Sequence, residues 1–216
     1  MPAPHLASTR IHAKKKSLRA GEQQFAHVAA QRQAWLAWLA TVDHRRLFFL
    51  DETGAKTNLT RLYARSHRGL RAVAYAPQGH WNTTTLVAAI SAERVIAPLV
   101  LDGPMDGTCF EAYVEQMLVA ALPPGSIVVM DNLSAHKMPG VARLFAQAGI
   151  AVRYLPPYSP DFNPIEQLWS KIKAILRRIQ ARGQETLVEA IATALGEVTP
   201  NDLTGYFFHS VVGILK

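Results

Sequence analysis

Two runs of four apolar residues, Leu-Phe-Phe-Leu at 47–50 and Ile-Val-Val-Met at 127–130, each stop at an aspartate, Asp51 and Asp131. Runs this short, rich in β-branched and aromatic residues, read as strands buried on both faces. Such a sheet needs a covering layer on each side. A buried strand that stops at an aspartate delivers its carboxylate to the rim of the sheet. In open α/β sheets that rim is where ligands bind.

The remaining pattern supplies the covering layers. Residues 21–40 carry a helical spacing through Phe25, Val28, Trp35 and Leu39, and residues 59–76 suit edge strands or an extended loop. Residues 83–91 and 95–101 read as a hairpin turning at Ala92 and Glu93. Thr108 with Glu111 is read as a capping box opening a helix that Pro123, Pro124 and Gly125 end. A short helix at 139–148, a strand at 151–155, a loop at 156–163 and a long helix at 164–182 follow. Thr186 with Glu189 and Thr199 with Asp202 are read as two further capping boxes. An antiparallel group followed by α/β alternation predicts a mixed sheet with helices on both faces.

Charge points to a class of partner. The 216 residues carry a formal charge of +7, and the surplus is local. Residues 1–20 hold five basic residues and no acid, as do residues 171–182. A surplus so placed favours a polyanion. No stretch is apolar enough to span a bilayer, and the basic N-terminus lacks a secretory core. The single cysteine, Cys109, can neither staple the fold nor build a thiolate zinc site, and suits a reducing compartment.

A third acid stands in Asn163-Pro164-Ile165-Glu166. Asn163 reads as an N-cap and Pro164 as the first helical residue, which places Glu166 in the first turn. Read alone, Glu166 can also be a capping-box glutamate that reaches back to the Asn163 backbone. The apolar stripe Ile165, Leu168, Trp169, Ile172, Ile175, Leu176 and Ile179 has 3, 4 and 7 spacing, and Glu166, Lys173 and Arg177 lie along its border. With the stripe packed on the sheet, Glu166 faces the rim that holds Asp51 and Asp131. Three carboxylates at one rim repel unless cations are present, and hard divalent cations take oxygen ligands. Two such ions can stabilise the attacking and leaving oxygens of a phosphoryl displacement.

The segments FFLDETG, VVMDNLSAHK and YLPPYSPDFNPIEQLWSKIK resemble the three catalytic blocks of DDE transposases, with 34 residues between Asp131 and Glu166. The resemblance is to the bacterial insertion-sequence branch of the mariner superfamily and runs from about residue 45 to residue 182. It implies an RNase H-like fold and Mg²⁺-dependent cleavage of DNA at transposon ends, followed by strand transfer. Asp51, Asp131 and Glu166 resemble the three metal-binding acids, holding two Mg²⁺ ions that Mn²⁺ can replace. Glu52, Asn132 and Asn163 fall in the same blocks and take supporting roles. His136 reads as a phosphate contact or as a structural histidine. Lys171, Lys173, Arg177 and Arg68 are the other candidate nucleic-acid contacts. Asp161 reads as a turn former in its Ser-Pro-Asp loop.

Residues 1–44 are expected to be a basic arm with a linker helix, and residues 45–216 the catalytic domain. Relatives of this kind carry helix-turn-helix domains, and the residues before Asp51 have no room for one. The expectation is a truncated or split-gene product acting on double-stranded DNA in a bacterial cytoplasm, as a homo-oligomer. An upstream helix-turn-helix segment would be fused to it or supplied in trans. Two alternatives share these residues: another RNase H-like nuclease, or a DNA-binding remnant that modulates a full-length transposase.

Overall fold

The computed structural model describes residues 20–76, 83–133 and 135–215. The basic arm expected over residues 1–20 lies, apart from Ala20, outside the described residues. Five strands form one sheet in the order β3-β2-β1-β4-β5. They are β1 Leu47–Ala55, β2 Thr84–Ile90, β3 Val95–Asp102, β4 Ile127–Met130 and β5 Ala151–Tyr154. The β1–β2–β3 half is antiparallel, and β1–β4–β5 is parallel. The sheet is mixed, as the order of elements predicts.

Side-chain alternation along the strands divides the interior in two. Leu47 and Phe49 of β1, Leu86, Ala88 and Ile90 of β2, and Val129 of β4 pack into one core. Phe48, Leu50, Val87, Ala89, Val128 and Met130 pack into the other. The first core is closed by α1 (Ala26–Leu39), α5 (Ile165–Ile179), α6 (Gln184–Gly196) and α7 (Pro200–Phe207). The second is closed by α2 (Gly107–Tyr113), a π-helical segment, α3 (Val119–Ala121) and α4 (Pro139–Gln147). No helix of the described residues is long and apolar enough to cross a membrane. Trp35 and Leu39 of α1 sit in the first core, so this helix docks on the sheet.

Several local expectations are corrected. Strand β1 does not stop at Asp51 but continues to Ala55, because β2 goes on pairing with it through Ala55↔Thr84 after β4 has ended at Met130. Of the two alternatives for residues 59–76, the structure takes the extended loop, exposed from residue 61 onward. Asp106, not Thr108, caps α2, accepting the Cys109 N–H at 2.8 Å. Thr186 is the third residue of α6, and its hydroxyl accepts from the Gly183 N–H. Thr199 and Asp202 form the expected box at α7. Helix α5 ends at Ile179, short of residue 182, where Gln180 turns left-handed with φ 59°. Of its apolar stripe, every member is buried except Ile179.

Candidate active site

Asp51 and Asp131 come together through strand register. Phe49 pairs with Val129 in the parallel β1–β4 ladder, and the same register carried two residues further sets Asp51 beside Asp131. Helix α5 packs against this end of β1 and brings Glu166 to the same place from its first turn. The three acids line one cleft of about 590 Å³ together with Asn132, Leu133, Asn163 and the loop 155–160. Among the described residues, no three His, Cys, Asp or Glu side chains are gathered as a metal cluster. The acids share the cleft without meeting at a point: both aspartates turn to donors of the protein, and Glu166 is exposed.

Asp51 Oδ1 accepts the Glu52 N–H at 2.8 Å, and its Oδ2 accepts the Trp169 indole N–H at 3.2 Å. Burial pushes Asp51 up to about 7, and the nearby charges of Glu166 and Asp131 add to the rise against those two hydrogen bonds. Asp131 behaves oppositely. Burial would raise it, but His136 and the Leu133 N–H outweigh burial and hold it below the ordinary carboxylate range. At Asp51, burial and two neighbouring acids leave the carboxylate charge poorly compensated, whereas His136 beside Asp131 compensates that one. The buried Asn163 Oδ1 has no hydrogen-bond partner at this same cleft. The donors are carboxylate and amide oxygens, the types that Mg²⁺ and Mn²⁺ take.

Alternation along β1 sends Glu52 to the opposite face from Asp51. There its Oε1 lies 3.0 Å from His136 Nε2, while His136 Nδ1 lies 2.7 Å from Asp131 Oδ1. The ring is only 1% exposed and packs on Phe110 with centroids 4.4 Å apart. Burial disfavours the charged ring, but Asp131 and Glu52 more than offset it and raise His136 to about 9. A buried ring with a carboxylate at each nitrogen has nothing left for a phosphate, so the phosphate-contact expectation for His136 is set aside. Asn163 does not cap α5 with its side chain, and the helix begins with Pro164 as its capping residue.

The basic candidates separate. Lys171 Nζ is paired with Asp202 of α7 at 2.5 Å, which occupies it within the fold. Lys173 and Arg177 are half-buried on the Glu166 side of α5, without an ion-pair partner among the described residues. Arg68 is exposed at a turn closed by Leu70 N–H to His67 O, with Gly69 at φ 85°. Two contributors escaped the sequence reading. Trp169 counted only as part of the apolar stripe, although a buried indole N–H needs an acceptor and Glu166 lies one turn away. Arg32 grips Asp161 and Ser159 of the cleft loop, so Asp161 is an ion-pair partner as well as a loop residue.

The mixed five-stranded sheet covered by helices on both faces is an RNase H-like fold. The DDE superfamily endonuclease family matches residues 46–188, and the chain belongs to that family. The same fold occurs in the Mos1 transposase paired-end complex with left transposon end, at TM-score 0.72 and 15% identity, covering 95% of this chain and 65% of that one. It occurs in the Mos1 mariner paired end complex with Mn, at TM-score 0.73 and 14% identity, covering 95% and 65%. The catalytic domain of Mos1 mariner transposase aligns at TM-score 0.63 and 12% identity, covering 92% of this chain and 93% of that one. The chain thus spans about two thirds of the full transposase chain and nearly all of its catalytic domain. No curated protein sequence matches it.

Proposed function

We propose that this chain is the catalytic domain of a transposase of the bacterial insertion-sequence branch, cleaving DNA at transposon ends and joining the freed strand to target DNA. The observation that carries the reading is the placement of Asp51, Asp131 and Glu166 on one cleft of a DDE-family domain. The acids would hold Mg²⁺, or Mn²⁺ in its place, with Asn163 beside them; related structures are complexes described with Mn and with Mg. When bound there, a divalent ion would supply charge stabilisation to the attacking and leaving oxygens of a phosphoryl displacement. The residues of the chain do the rest. Glu52, His136 and Trp169 orient the two aspartates. Lys173 and Arg177 continue the Glu166 side of α5 and hold the phosphate backbone beside the scissile bond. Arg68, in an exposed loop with Arg61, Arg65 and Arg71, extends that contact along the duplex.

Residues 45–216 form the catalytic unit in this reading, with the helix before them docked on it. The partners are double-stranded DNA, a second copy of the chain on that DNA, and an upstream helix-turn-helix segment, fused or separate. The setting is the nucleoid of a bacterial cytoplasm. The test is incubation of the purified chain with transposon-end DNA and Mg²⁺. Nicked and then joined strands support transposition. Nicks without joined products reassign the chain to a nuclease, and binding without any nick reassigns it to a DNA-binding remnant.

A further inference from the structure

We propose that Glu52 and the buried ring of His136 form a positioning pair that fixes the carboxylate of Asp131 for metal binding. The inference rests on the reading of Asp131 as a metal ligand.

The geometry is a chain of three side chains from three places in the sequence. Glu52 projects from β1 to the face opposite Asp51, and its Oε1 stands 3.0 Å from His136 Nε2. His136, in the turn after β4, stands 2.7 Å by Nδ1 from Asp131 Oδ1. Two further contacts hold the arrangement: the Tyr154 hydroxyl donates to the His136 carbonyl at 3.3 Å, and the Leu133 N–H donates to Asp131 Oδ1 at 3.1 Å. Phe110 covers one face of the ring. The Leu133 hydrogen bond and the close approach of His136 Nδ1 both fall on Oδ1, so the carboxylate is held from one side; Nδ1 stands near Oδ1 without the alignment of a hydrogen bond.

Stability alone is a poor reason for this cluster. Taking an imidazole and a carboxylate out of water costs several kcal/mol per ion, and apolar residues of similar volume often serve as well. Partners one layer behind a metal ligand fix its orientation, and losing them typically lowers metal affinity about 10- to 100-fold. A histidine with two ring nitrogens 3.0 and 2.7 Å from two carboxylates suits that task, because each nitrogen can address one acid.

The experiment measures Mn²⁺ affinity of the purified chain by calorimetry, without DNA, for the wild type, Asp131→Asn, His136→Ala, His136→Asn and Glu52→Gln. Circular dichroism and the thermal midpoint report folding in each. The expected result is roughly a 10- to 100-fold loss of affinity for His136→Ala and about 10-fold for Glu52→Gln. His136→Asn should recover part of the loss, since its amide nitrogen can take the place of Nδ1. In an Asp131→Asn background, Glu52→Gln should change Mn²⁺ affinity less than about twofold, because the ligand it positions is gone. If His136→Ala fails to fold, Glu52→Gln, which keeps size and shape, decides. Wild-type affinity in folded His136→Ala or Glu52→Gln, with affinity lost in Asp131→Asn, overturns the positioning pair and leaves the metal site standing. Wild-type affinity in Asp131→Asn overturns the metal-ligand reading and this inference with it.

Discussion

Arg32 and Asp161 lock helix α1 onto the cleft loop. The guanidinium donates from Nη1 and Nη2 to the two carboxylate oxygens at 3.0 and 2.6 Å, and Nη1 also donates to Ser159 at 2.7 Å. The same cation lies 4.0 Å from the centre of the Phe162 ring. One arginine, 14% exposed, thereby holds three residues of a loop that lines the cleft.

The pair predicts a measurable coupling. Asp161 is partly exposed, so the ion pair is worth less than its geometry suggests, about 1 kcal/mol after screening. A double-mutant cycle of Arg32→Ala and Asp161→Ala in urea unfolding should show that coupling. Strictly additive single effects would mean that α1 is not tied to the loop in solution.

Helix α5 predicts a contrast between neighbouring positions. Leu168 is fully buried, and truncation to Ala should cost about 2–5 kcal/mol by loss of burial and the cavity left behind. Glu166 is exposed, and Glu166→Gln should shift stability by no more than about 0.5 kcal/mol. Equal losses at both positions in chemical denaturation would refute the assigned faces of the helix.

How far the sequence reveals this arrangement depends on whether the signal is local. The apolar runs before Asp51 and Asp131 announce strands because burial on both faces leaves no polar alternation, and strands formed there. The stripe on α5 is equally legible, since its period is a property of one helix. The end of β1 was not, because its length depends on pairing with β2, a partner distant in sequence. The helix caps illustrate competition between candidates. Asp106 and Thr108 can both cap, and the hydrogen bond to Cys109 selects Asp106. For His136 the sequence left a phosphate contact and a structural histidine both open, and the structure takes the second. Its neighbours in the chain are exposed or half-buried, and Glu52 and Phe110, both far away in sequence, are among the groups that enclose it.

Lys171 and Asp202 predict the acid limb of stability. The Lys171 ammonium first, then Thr199, holds Asp202 at about 2, below the ordinary 3.8. A carboxylate with a lowered folded pKa contributes stability that is present above about pH 4 and lost as pH falls toward 2. Asp202→Asn should remove that part of the slope and lower the thermal midpoint at neutral pH. An acid limb unchanged from wild type would show that the pair contributes nothing in solution.

The same pair separates Lys171 from its neighbours in DNA binding. Lys173→Ala, Arg177→Ala and Arg68→Ala should each weaken binding to all sequences alike and reduce the log–log salt slope by about one unit. Lys171→Ala should leave the slope unchanged and lower stability instead. A reduced slope for Lys171→Ala, or none for the other three, would reverse the assignment.

If the three acids act together as a metal-dependent nuclease, Asp131→Asn is the variant that shows it most directly. The measurement is Mg²⁺-dependent strand cleavage of transposon-end DNA, with DNA affinity recorded for the same samples. An amide keeps the shape of Asp131 and removes its charge. The expected result is that cleavage is abolished while DNA affinity and the folded spectrum remain as in the wild type. Cleavage at the wild-type rate by folded Asp131→Asn would contradict it.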